Sequence, residues 1–252
     1  MIDVHAPHET THTWTDFFIH IGTIAVGLLL AIGLEQAVEA LHHQHERDEL
    51  IVAMRAEAQN NRPVFENTIS RNVERLAWGR SLVAALTQAT PKNGMVDVIL
   101  PPHQPIPAAP NPARATWTIA KTNGKAALLP DNLAELYDRL DYEAELEQQA
   151  DAAFAAPVLA VQAIAIRLGI DLSHASVLRL SVADRDALAQ AIAHSTAAQS
   201  VVVERMAYWR AVNNVVADGV GSWEAMPPYV RQSLDAIHQA EAQAIPTPKE
   251  AN

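Results

Sequence analysis

The chain has 252 residues, 49% hydrophobic and 19% charged, a balance that can bury a core and excludes a wholly disordered chain. It has no cysteine, which rules out disulfides, thiolate metal sites and a cysteine nucleophile together. Its net charge of −11, from 18 basic and 29 acidic side chains with only four lysines, repels a phosphate backbone and argues against nucleic-acid binding.

The strongest pattern lies near the N-terminus. After a polar tail over 1–13, the run FFIHIGTIAVGLLLAIGL from Phe17 to Leu34 has no formal charge, and His20 and Thr23 are its polar residues. About 20 apolar residues span the ~30 Å of a bilayer's hydrocarbon. With Trp14 at one end and the stretch to Leu41 at the other, 14–41 predicts a transmembrane helix. A secretory signal peptide wants a basic start and a shorter apolar run. Met1 to Asp16 contains no Lys or Arg. Thr23, Gly27 and Ala31 recur every fourth residue, so they predict a face on which two helices in lipid can approach closely. The same pattern also arises from ordinary membrane-helix composition. Arg47 and Arg55 follow the span but are offset by Asp48, Glu49 and Glu57, which leaves the side of the soluble part open.

Good helix formers continue to the Asn61-Arg62-Pro63 step, which predicts a stalk over 42–62 with a partial coiled-coil stripe at Ile51, Met54 and Ala58. Pro63 predicts its end. A helix from Pro63 to Leu86 follows, then a proline-rich excursion over 90–114 with one possible short strand at Met95–Leu100. Ala115–Lys121 reads as a short helix stopped by Asn123-Gly124, with a hairpin as the competing reading. Asp131 is expected to cap a helix through Leu133, Leu136, Leu140 and Leu146. VLAVQAIAIRLGI after Pro157 reads as a buried bundle helix rather than a second crossing, with Gly169 as its stop. Ser181 and Asp184 resemble a capping box for a helix to about Asp218, and a last helix covers about Pro228–Ala244. The tail 245–252 is expected to be loose. The fold class is therefore all-α: a transmembrane helix continuing into a stalk, then an antiparallel helical bundle over 63–244.

These residues carry a resemblance. IGTIAVGLLLAIGLEQAVE and the later Met54, Glu57 and Asn61 resemble the start of an uncharacterised family of bacterial single-pass membrane proteins with a GILIAL-like N-terminal helix. Trp117, Gly124, Leu133, Leu136, Tyr137 and Tyr142 are similar to a second block of that family. The two blocks cover about a third of the chain. They imply an inner-membrane protein with a helical soluble domain, and no catalytic residues.

Eleven histidines invite a test for metal or haem. His42, His45 and Glu46, with Glu39 and His43, have the three- and four-residue spacings that let helical side chains share a face. Zinc accepts such ligands, yet one helix supplies only two per face. A polar collar at the lipid–water boundary is the competing reading, and it is preferred. His5, His8 and His12 precede the span. His20 would need a partner imidazole at its own depth to hold haem. Trp117, Trp209 and Trp223 are expected as core anchors. Asp138, Asp141, Glu143, Glu145 and Glu147 are expected along solvated helix faces. No hydrolase, P-loop, zincin or dinucleotide motif stands out, so no enzyme or cofactor is implied. The expected role is a membrane-anchored structural or interaction subunit, as a homo-oligomer or within a larger membrane complex. The alternative is a ligand-sensing bundle that signals through a partner protein.

Overall fold

The computed structural model describes residues 14–101, 111–172 and 177–244. The polar tail 1–13 with His5, His8 and His12, the middle of the proline-rich segment and the tail 245–252 lie outside them. The described chain is all-α apart from one two-stranded ribbon, and it falls into two units, Met1–Glu49 and Leu50–Asn252.

Helix α1 runs Trp14–Gln88 without a break. In the first unit, every residue of α1 from Trp14 to His45 is exposed. Trp14, Phe17 and Phe18 cluster there with centroids 5.7 to 6.3 Å apart, Phe17 meeting each of the others edge to face. Thr23 turns its hydroxyl back to the Ile19 carbonyl at 2.8 Å, and His20 Nδ1 donates to the Asp16 carbonyl at 2.8 Å. Both polar groups are thus satisfied within the helix, which an apolar surrounding demands.

The second unit begins at Leu50, inside the segment read as a stalk. It contains the rest of α1, strand β1 (Met95–Ile99), α2 (Ala115–Thr122), α3 (Asp131–Leu168), β2 (Val177–Ser181), α4 (Val182–Ala217) and α5 (Met226–Ala244). Short 3₁₀ turns, Lys125–Leu128 and Trp223–Ala225, precede α3 and α5. The expected break at Pro63 does not occur. A proline inside a helix costs about 3 kcal/mol, but Pro63 is exposed, so the carbonyl it leaves unpaired can be hydrated. Packing on either side holds the helix: Asn61 brackets the Ala113 backbone with two 2.7 Å bonds, and Phe65 is fully buried.

Opposed contacts show that α1 and α4 run antiparallel: Asn61 meets Asn213, Phe65 meets Trp209, Asn72 meets Gln199, and Gly79 lies against Thr196. The buried α1 residues Met54, Ala58, Asn61, Phe65 and Thr68 step by four and three, as do Val202, Met206, Trp209, Asn213 and Val216 on α4. This is coiled-coil-like packing. The polar Asn61–Asn213 layer allows one register, because a slip would bury Asn213 Nδ2 away from the Ala58 carbonyl it bonds at 2.8 Å. Gly79 permits the close approach further along, since an added Cβ would stand 2.5 Å from Thr196 Oγ1.

Several local expectations hold. Asn123-Gly124 closes α2 with Gly124 left-handed at φ 82, so the helix reading stands over the hairpin. Gly169, at φ 63, ends α3, and Ser181 Oγ accepts from the Asp184 amide at the start of α4. Others change. Pro130 rather than Asp131 is the cap of α3, with Asp131 its first residue. Helix α5 starts at Met226 with both prolines in its first turn, where a missing N–H costs nothing. The short strand forms as β1, and its partner β2 was not foreseen. They pair antiparallel with Asp97 opposite Arg179 and cover a second apolar cluster of Leu82, Leu86, Val96, Val98, Leu178 and Leu188.

Candidate functional site

In the second unit, α1, α3 and α4 enclose a cavity of about 270 Å³. Its walls are mainly apolar, and Trp78, Phe154, Val158 and Ile192 contribute to them. Sequence reading expected the α3 half after Pro157 to be buried. Instead only Pro157 is buried between 151 and 170; Leu159 and Ile166 are 61% and 80% exposed. The run is apolar all round, but only its inner side faces this cavity and the second apolar cluster. That leaves the outer side without a partner among the described residues.

Five polar residues interrupt the apolar lining, Arg75, Gln162, Ser195, Thr196 and Gln199, and Gln199 and Arg75 stand out among them. Gln199 is 2% exposed and donates from Nε2 to Asn72 Oδ1 at 3.1 Å, which fixes its amide, while its Oε1 is buried with no hydrogen-bond partner. A buried orphan acceptor costs roughly 1–3 kcal/mol. Arg75, also on the lining, is half-buried and makes no hydrogen bond or ion pair among the described residues. Sequence reading missed both. The available signal was Gln199 in step with the apolar positions Ile192, Val202 and Met206, where a polar residue needs a reason.

A second polar group overturns another expectation. Of the five acidic residues read as solvated, Glu143 is 1% and Glu147 8% exposed. Both extend the buried row Leu136, Leu140 and Ala144. Arg139 bonds Glu143 Oε1 at 2.6 Å, and its guanidinium lies 4.7 Å from the Trp223 ring centre and 4.8 Å from that of Tyr142. Glu143 Oε2 and Arg139 Nε remain buried without partners. Asp138 and Asp141 serve α2 instead, accepting from Trp117 Nε1 and pairing with Lys121. Trp117 and Trp209 are buried core residues as expected, and Trp223 is partly buried, packed against the same core beneath Arg139.

Burial lifts the Glu147 carboxyl from 4.5 to about 7, and Asp151 adds to the rise while Arg114 opposes it. The folded protein therefore holds a proton there that the unfolded chain releases above pH 4.5, so stability falls as pH climbs towards 7 and then levels. Glu147→Gln removes that penalty. It should melt like the wild type near pH 4 and more stably at pH 8, by on the order of 2 kcal/mol. Thermal melts at the two pH values check this; an equal gain at both would mean that ionisation is not the cause.

The residues singled out near the span belong to the first unit. His42 lies 3.6 Å from Glu46, His43 3.9 Å from Glu39 and His45 3.1 Å from Glu49, each one turn along the helix. Among the described residues no three histidines or carboxylates converge on a metal position. Among the described residues, nothing outside its own helix backbone lies within 4 Å of a Cβ placed on Gly27. Comparison with family models, with curated proteins and with solved structures gives no match.

Proposed function

We propose that this chain is a membrane-anchored helical-bundle protein that acts as a structural or interaction subunit, crossing a bacterial inner membrane once, at 14–41. One observation carries the reading: the large apolar side chains from Trp14 to Leu41 are all exposed, most by more than half. Each would cost roughly 1.5–3 kcal/mol in water, a sum of tens of kcal/mol that a lipid surrounding removes. The aromatic cluster at Trp14 suits the lipid–water boundary. Helix α3 is also long and apolar enough to cross. Its first half, however, packs Leu136, Tyr137 and Leu140 into the bundle core, and Arg167 at its end pairs with Asp184 at 3.0 Å. The resemblance to bacterial single-pass proteins supports the same reading.

We further propose self-association through Thr23, Gly27 and Ala31, whose open face lets a second backbone approach. Membranes carrying the full chain should retain it through an alkaline carbonate wash, and cross-linking should yield a dimer. Gly27→Ile should keep the protein in the pellet and reduce the dimer several-fold, while Ala25→Ile on another face should not. Release by carbonate overturns the anchor; an unchanged dimer in Gly27→Ile overturns only the packing face.

A further inference from the structure

We propose that the cavity between α1, α3 and α4 binds a small aromatic acid that also carries one N–H or O–H donor. This goes beyond membrane anchoring and stands or falls without it.

Three features define the occupant. The lining is mainly apolar, with the Trp78 and Phe154 rings presenting faces or edges to a flat aromatic body. At about 270 Å³ the space lies just below the ~300–1,000 Å³ of small-molecule sites, which suits one or two rings rather than a long chain. Gln199 Oε1 is an acceptor whose own amide N–H already bonds Asn72, so what it lacks is a donor. Arg75 supplies the third feature. A half-buried guanidinium with no hydrogen bond or ion pair among the described residues matches an anionic group on the ligand, and a carboxylate fits its paired N–H geometry. An aliphatic hydrocarbon would leave both polar groups unanswered, and a sugar would waste the apolar walls. A trapped water could satisfy Gln199 but not Arg75.

The test is titration calorimetry of the full chain in lipid nanodiscs, with empty nanodiscs as the blank and indole-3-acetate as the probe. 1-Methylindole-3-acetate lacks the N–H, and indole-3-ethanol lacks the carboxylate. Each lost contact should weaken binding about tenfold. Gln199→Met should bind both acids with equal, reduced affinity. Arg75→Gln, on the half-exposed rim, should lose about tenfold for the acid and leave indole-3-ethanol unchanged. Val158→Trp should fill the cavity and abolish binding while retaining the wild-type circular dichroism. Absence of heat up to millimolar probe, full binding by Val158→Trp, or no discrimination between indole-3-acetate and its two analogues would each overturn the proposal.

Discussion

Phe65→Ala should lower the stability of the second unit by about 3–5 kcal/mol, the largest single loss expected from a core truncation here. Phe65 is completely buried, and its ring stands edge-on to Trp209, with centroids 5.1 Å apart and planes at 89°. The pair sits one step from the Asn61–Asn213 layer, in the seam of α1 against α4. Removing the ring therefore opens a void that neither helix can close without disturbing the buried amides. Thermal denaturation followed at a helix wavelength should show a drop on the order of 10 °C, at roughly 2–4 °C per kcal/mol for a unit of this size. Phe65→Leu should lose much less. If the alanine variant costs under about 1.5 kcal/mol, the seam is not the centre of the core.

Arg210→Met should be nearly as damaging, and in a different place. Arg210 is 4% exposed and ties three helices. Its Nη1 reaches both Glu66 oxygens at 3.1 Å on α1, while Nη2 and Nε donate to the Ser233 carbonyl at 2.7 Å and hydroxyl at 3.3 Å on α5. Methionine keeps much of the apolar stem but removes the charged hydrogen bonds to the buried Ser233 and the pair with Glu66, a loss of about 2–4 kcal/mol. The partners are unequal. Glu66 is 66% exposed and can be rehydrated, so Glu66→Gln should cost no more than about 1 kcal/mol. Hydrogen exchange should separate the two variants: Arg210→Met should speed exchange along α5 well before global unfolding, and Glu66→Gln should not.

The sequence showed the helical elements well, because helix formers, capping residues and glycine stops are local signals. Ser181, Gly124 and Gly169 each did in the structure what their chemistry demands. It did not show that α1 continues through Pro63. The seam positions on either side of it include Asn61, Thr68 and Asn72, so the apolar period fades where the packing is tightest. Local proline chemistry then had no visible rival, although tertiary contacts outweigh it. The candidate site was hidden for the same reason. Glu143 and Glu147 were read as ordinary surface residues, and Gln199 drew no reading at all, because polar side chains are usually solvated. Their spacing placed them on buried rows. The four-residue spacing of Thr23, Gly27 and Ala31 is visible in the sequence, while its use as a packing face stays a proposal.

The ribbon has a consequence for solubility. Each of its strands has one neighbour among the described residues, so a row of N–H and C=O groups on either flank is open to an extended segment of another molecule. Ile99 and Val177, paired at one end, are 76% and 55% exposed and would make such a meeting adhesive. Two features oppose it: the strands are only five residues long, and Asp97 and Arg179 stand opposite each other on the outer surface, 3.8 Å apart. An ion pair that exposed adds little to folding. Its value lies in keeping a neighbouring chain from pairing edge to edge with the ribbon.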